Sequence, residues 1–218
     1  EPLANDDTYT TDEDVALLIS AGTGVLFNDV DPDGDDLSAI LVQSTLSGTL
    51  VLLSDGSFTY TPTLNYYGLD FFTYKASDGV AESNVATVTL TVNSINDPPL
   101  TTADAYTTTV NEMLVVPAPG ILSNDSDAEG DPFTAILVQD VSHGTLVLGE
   151  DGSFVYIPDS DYIGQDSFVY QAFDGTDYSA ETTVTLNITR YNTPPVAAPD
   201  SYSTSSNTTL IVDSPGVL

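Results

Sequence analysis

Thr87-Val88-Thr89-Leu90-Thr91-Val92 alternates a hydroxylated with an apolar side chain at every step. A period of two puts valine and leucine on one face and the threonines on the other, as a half-buried antiparallel strand requires. The same alternation runs outward from this stretch through Phe72, Tyr74 and Ala76, and through Phe58 and Tyr60. Asp55-Gly56 lies between GTLVLL (48–53) and SFTYTP (57–62). Glycine accepts positive φ there, so the two runs read as a β-hairpin, which Gly149 to Gly152 repeats. No stretch of ten residues carries a helical period, and the expected class is all-β.

The strands belong to a repeat. NDVDPDGD (28–35) recurs as NDSDAEGD (124–131), AILVQ (39–43) recurs at 135–139, and GTLVL (48–52) recurs at 144–148. Each pair stands 96 residues apart, with no gap between 24 and 195. Asp200-x-Tyr202 matches Asp104-x-Tyr106 and Asp7-x-Tyr9 and opens a third copy that runs to PGVL (215–218). The expected domains are repeat 1 over 1–99, repeat 2 over 100–195, and the N-terminal strands of a third over 196–218. Seven or so short strands per repeat fit an immunoglobulin-like β-sandwich, which takes about 100 residues. Asn96-Asp97-Pro98-Pro99 and Asn192-Thr193-Pro194-Pro195 read as stiff linkers that block strand pairing, so tandem sandwiches are expected end to end.

Composition narrows the function. There are 33 acidic residues against 2 basic ones, for a net charge of −31. Lys75 and Arg190 are the only fixed cations, too few for a phosphate-binding surface, so no nucleic acid partner is expected. No run of 18 apolar residues is present, which leaves no helix able to insert in a membrane. The absence of cysteine excludes disulfides, thiol nucleophiles and Cys-ligated metals, and a lone histidine, His143, excludes a His-rich site. With 41% hydrophobic residues in regular patterns, the chain is not of the acidic disordered kind. No basic segment precedes an apolar one at Glu1, so a mature chain or an excised fragment is expected. Aspartate outnumbers glutamate 26 to 7, a bias toward turns and short-reach metal loops.

The ordered series NDPP, Asp-x-Tyr, PGVL, NDxDxxGD, HGTL, DGSFxYxP and TVTLTV resembles the cadherin-like, VCBS-type tandem repeats of bacterial surface and secreted proteins, RTX-type adhesins included. The resemblance covers essentially the whole chain. It implies a cadherin-like β-sandwich used in long extracellular strings, with calcium at loops or junctions. Two departures stand out: Thr193 replaces the linker aspartate Asp97, which puts calcium at the second junction in doubt, and Ser47 replaces His143.

Asp29-x-Asp31-x-Asp33-Gly34-Asp35 and Asp125-x-Asp127-x-Glu129-Gly130-Asp131 place carboxylates on alternate residues of a curling loop, a spacing suited to one hard cation. An EF-hand would supply a bidentate glutamate at position twelve, where Ile40 and Ile136 stand instead. Each loop therefore borrows a ligand or binds weakly, at about 10⁻⁴ to 10⁻³ M. Asn96, Asp97 and Asp104 are the candidate extra ligands for the second loop, and Asp7, with Asp6, for the first. The competing reading is an acidic turn in which aspartates cap backbone N–H groups. Calcium in both loops would neutralise only about 4 to 8 charges. The remaining acids are expected to keep an extracellular chain hydrated.

No catalytic set emerges. His143 sits in a turn, Lys75 is replaced by Gln171 in the other copy, and Tyr66, Tyr67 and Tyr162 read as core or corner tyrosines. Asp70 and Asp166 lie one in each repeat, too far apart in sequence to nominate as a glycosidase pair. The expected function is a non-enzymatic, calcium-stiffened segment of an extracellular or cell-surface fibre or adhesin, its partners being adjacent repeats or neighbouring copies, head to tail. Two alternatives stay open. In one, residues 196–218 add a strand to a neighbouring chain in a self-assembling filament. In the other, exposed aromatics bind carbohydrate beside a secreted polysaccharide-acting protein.

Overall fold

The computed structural model describes residues 1–191 and 195–213. Module 1 contains β1 (Asp7–Asp12), β2 (Leu17–Ile19), β3 (Ser38–Gln43), β4 (Gly48–Leu52), β5 (Phe58–Pro62), β6 (Gly68–Ser77) and β7 (Ala86–Asn93). Module 2 repeats the series as β8 (Asp104–Thr109), β9 (Leu114–Val116), β10 (Thr134–Gln139), β11 (Gly144–Leu148), β12 (Phe154–Pro158), β13 (Gly164–Phe173) and β14 (Thr182–Thr189). Among the described residues the only helical elements are three-residue 3-10 turns at Ala21–Thr23 and Gly120–Leu122. The fold is therefore all-β, as the sequence period requires.

Each module is a sandwich of a four-stranded sheet, ordered β1-β7-β6-β3 or β8-β14-β13-β10, and a three-stranded sheet, ordered β2-β5-β4 or β9-β12-β11. Strand β7 is antiparallel to β6, as expected, but its other neighbour β1 runs parallel to it, and β8 runs parallel to β14. First and last strands that point the same way bring the chain in at one pole and out at the other. That topology is what allows modules to be chained end to end.

The quoted strand buries Val88, Leu90 and Val92 and leaves its threonines half-buried on the outer face. Phe58, Tyr60, Phe72 and Tyr74 complete the first core, and Phe154, Tyr156, Phe168 and Tyr170 the second. Edge-to-face contacts link Tyr9 to Phe58 and Phe58 to Phe72 at 5.0 and 5.3 Å, and Tyr106 to Phe154 and Phe154 to Phe168 at 5.1 and 5.5 Å. Each such pair contributes about 0.5–1.5 kcal/mol beyond its burial. The hairpin glycines close against the 3-10 turns: Gly152 has φ +79°, and a Cβ there would stand 2.1 Å from the Pro119 carbonyl oxygen.

Buried tyrosine hydroxyls need partners, and aspartates supply them. Asp70 accepts from Tyr60 Oη at 3.0 Å and from the backbone N–H groups of Leu46, Ser47 and Phe71. Asp166 does the same with Tyr156 Oη and the N–H groups of Ser142, His143 and Ser167. These carboxylates pin the β3–β4 and β10–β11 loops to the core. His143 stacks on Tyr162 at 4.2 Å, and Lys75 pairs with Glu82 at 2.9 Å.

Residues 195–213 are exposed throughout and form no strand, contrary to the expected N-terminal strands of a third repeat. In module 1 the matching stretch, Asp7–Asp12, is a strand with β7 beside it and Tyr9 packed on Phe58. Asn192, Thr193 and Pro194 of the second linker, and PGVL (215–218), lie outside the described residues.

Candidate metal centre

Where β1 ends, Glu13 turns inward. Its N–H donates to the Asn93 carbonyl at 2.9 Å, and Asp14 adopts φ 59° to reverse the chain. The Glu13 residue is only 4% exposed. Its Oε1 accepts from the Ile95 N–H at 2.6 Å, where the chain leaves module 1. Its Oε2 is buried without a hydrogen-bond partner.

Across the junction, the second acidic loop meets the linker. Glu129 Oε2 accepts from the Asp97 N–H at 3.0 Å. Asp127 Oδ1 accepts from the N–H groups of Glu129 and Asp131 at 3.1 and 2.9 Å, a turn that holds the loop closed. The other oxygens, Asp97 Oδ2, Asp127 Oδ2 and Glu129 Oε1, are buried and unpartnered, like Glu13 Oε2. Ligand atoms of Glu13, Asp97 and Glu129 lie within 4.8 Å of one another. Two anions at that separation repel by about 3 kcal/mol at an effective dielectric of 20, and burying each without a partner costs several kcal/mol more. An all-oxygen set of orphaned carboxylates fits a hard divalent cation such as calcium, which takes 6–8 oxygens. Beside it, Asn96 Nδ2 donates to Asp174 Oδ2 and Asp177 Oδ2 at 3.1 and 3.0 Å, tying the linker to the β13–β14 connection.

The acidic loops do not close on one point, for a local reason. Their first aspartates leave for the module interior. Asp29 accepts from Tyr74 Oη at 2.9 Å and from the Asn5 N–H at 2.8 Å, with Asp7 alongside. Asp125 accepts from Tyr170 Oη at 2.8 Å and from the Thr102 N–H, also at 2.8 Å. Asp104 accepts from Asn124 Nδ2 at 3.3 Å and keeps a buried, unpartnered Oδ2. Burial, and then the charge of Asp29, pushes the Asp7 pKa up to about 6; burial and Asp125 do the same for Asp104, also to about 6. Burial raises Asp29 and Asp125 as well, against their hydrogen bonds.

The central aspartates cap backbone: Asp31 Oδ1 accepts from the N–H groups of Asp33 and Asp35, as Asp127 does in its loop. Asp31 Oδ2 has no hydrogen bond, although its side chain is 1% exposed. Asp33, Asp35 and Asp131 are exposed. Of the sequence candidates, Asp97 and Glu129 therefore meet Glu13 at the junction, while Asn96 ties the linker to Asp174 and Asp177 and Asp127 holds the loop closed. Asp7 with Asp29, and Asp104 with Asp125, form separate pairs inside each module.

Glu13 escaped the sequence reading because the repeat hides it. Its counterpart is Val110, whose N–H makes the equivalent bond to Thr189, followed by Asn111 at φ 64°. A glutamate in a chain dominated by aspartate, at a turn where the other copy has valine, was the available signal.

Two sandwiches in series with a carboxylate-lined junction define the class of end-to-end adhesion-type modules. Residues 1–94 and 96–190 each match the family model described as bacterial cadherin-like domain, and the chain belongs to that family. It is similar to integrin beta-like proteins B and C of Dictyostelium discoideum, 31% identical over 115 residues and 27% over 207. Those matches cover 47% and 72% of this chain but only 6% and 10% of the relatives' lengths. Among solved structures, human mucin-like protocadherin EC1-2 aligns with a TM-score of 0.54 at 13% identity, over 88% of this chain and 99% of that one. Drosophila N-cadherin EC1-4 gives 0.55 at 12% identity, over 85% and 49%. These likenesses concern the fold.

Proposed function

We propose that the chain is a non-enzymatic spacer of an extracellular or cell-surface fibre or adhesin, in which calcium stiffens the junction between modules 1 and 2. The observation that carries this reading is the convergence of orphaned oxygens from Glu13, Asp97 and Glu129, three separate stretches of chain, at one inter-module point. One cation there would be shared by β1's end, the linker and the second acidic loop, so bending the junction would pull ligands apart. Without it, the same charges push the modules apart. The charge of −31 and the membership of a cadherin-like family support a hydrated extracellular setting.

A titration tests this. Calcium is expected to bind the wild-type chain at about 10⁻⁴ to 10⁻³ M, and Glu13→Gln to weaken the tightest step about tenfold or more. Equal calorimetric isotherms for the two chains would refute the assignment.

A further inference from the structure

We propose that two copies of the chain associate side by side through the three-stranded sheet of module 1, in a contact that needs no cation. Residues 15–28, 37–54 and 56–69 supply β2, β4 and β5 with their turns. They contain no charged side chain, although the chain carries a net charge of −31, and only Asp55 stands between the last two stretches. Module 2 differs on this side. Ser44, Ser54, Thr63 and Asn65 stand where it has Asp140, Glu150, Asp159 and Asp161. Leu46 and Leu53 stand where it has Ser142 and Gly149. The fold is the same in both modules, so these differences belong to the surface.

That surface is apolar as well as neutral. Leu18 and Leu46 are 73% and 79% exposed, with Val51 and Leu53 exposed as well. A groove of about 460 Å³ lies among Leu18, Val51 and Leu53 over Phe58, and its counterpart in module 2 measures about 260 Å³. The Ala39 N–H donates to the Ser54 carbonyl at 2.9 Å, which ties the start of β3 to the end of β4. Leu41 and Val42 of β3 extend the exposed apolar surface past that edge. The same bond occupies the edge donor of Ala39, and a bulge between Leu41 and Gln43 bends the strand. The contact is therefore one of side chains and not of an added strand.

Charge selects the occupant. A cationic partner is drawn to the acidic loops and not to a side without acids. A neutral apolar side suits a partner that carries the same charge as this chain and must keep its carboxylates away from the interface. A second copy is such a partner, and under a two-fold axis the surface meets itself. The remaining acids of the two copies repel, and the screening length falls from about 10 Å at 0.1 M salt to about 3 Å at 1 M, so salt strengthens the pairing. Strands of five residues or fewer, about 4.8 Å apart, cover roughly a few hundred Å², less than the ~800 Å² per partner of a stable complex. The association is accordingly weak.

Sedimentation equilibrium of the full chain in chelator, at sub-millimolar concentration, tests this. The average mass is expected to rise from that of the monomer toward twice that value between about 0.05 M and 1 M sodium chloride. Leu46→Ser with Val51→Thr should keep the melting temperature and lose the rise, because threonine preserves strand propensity while both changes remove apolar surface. Val147→Thr, the matching change in module 2, should leave the rise intact. The chain has no cysteine, so Thr49→Cys and Thr145→Cys each place a single thiol at matching exposed positions of β4 and β11. In high salt a bismaleimide should link copies of the first several-fold faster than copies of the second, a reading that does not depend on the double variant. A monomer mass at every salt concentration, a rise that survives in a folded double variant, or equal cross-linking of the two cysteine chains overturns the proposal. A rise seen only when calcium replaces chelator also overturns it, while leaving the cation site standing.

Discussion

Glu129 Oε2 accepts a hydrogen bond from the Asp97 N–H at 3.0 Å, which fastens the acidic loop of module 2 to the linker leaving module 1. That bond satisfies one oxygen of Glu129 and leaves Oε1 buried and bare, facing the bare oxygens of Glu13 and Asp97. The junction is therefore assembled by backbone donors but not neutralised by them.

Removing one charge from this cluster should act in opposite directions with and without calcium. In chelator, Asp97→Asn relieves repulsion of about 3 kcal/mol per neighbouring pair, so the melting temperature should rise or hold. With saturating calcium it should fall below wild type, because a ligand is lost. Calorimetric melts of both chains under both conditions check the crossing; parallel shifts would count against a shared cation.

Asp166 gives module 2 an acid limit. Burial works against its charge, but three backbone N–H donors and Tyr156 Oη outweigh burial and hold its pKa below the ordinary carboxylate value of 3.8. A depressed pKa means the folded state binds the proton less tightly than the unfolded one. The stabilisation is therefore complete above about pH 4–5 and lost as pH falls through the folded pKa. Asp166→Asn should cost about 2–3 kcal/mol at neutral pH. It should also flatten the loss of stability below pH 3.8, as measured by urea unfolding across pH.

Asp7 carries the opposite sign. Its pKa is pushed up to about 6, so the folded state holds the proton more tightly than the unfolded chain. In chelator its contribution should rise as pH falls from above 6 toward 3.8, and Asp7→Asn should remove that rise. Urea unfolding of module 1 at pH 7 and pH 5 reads the difference directly.

A backbone test is independent of charge. At Gly152, φ +79° and the Pro119 oxygen 2.1 Å from a built Cβ leave no room for a side chain. Gly152→Ala should destabilise module 2 by about 3 kcal/mol or more. The matching loss at Gly56, whose Cβ would meet the Leu26 side chain at 2.9 Å, should be smaller, because a flexible side chain can give way.

The strand pattern was legible because burial in a sandwich imposes a period of two, and Val88, Leu90 and Val92 obey it. The Asp55-Gly56 hairpin was legible because few residue pairs tolerate that turn. The parallel β1–β7 pairing was not, since alternation reports which face is buried and not the direction of a neighbour. The metal candidates were legible only in part. Asp127, Glu129, Asn96 and Asp97 share short motifs, but alternate spacing does not reveal that Asp29 and Asp125 turn away to buried tyrosines. Glu13 lies 84 residues from Asp97 and is matched in module 2 by an apolar residue, Val110, so only folding brings it to the junction.

Small-angle scattering from the 218-residue chain, with saturating calcium and then with chelator, tests calcium stiffening most directly. The expected result is a narrower distribution of inter-module distances with calcium, a broader one in chelator, and no response in the Glu13→Gln, Asp97→Asn double variant. Identical wild-type profiles in calcium and chelator would contradict it.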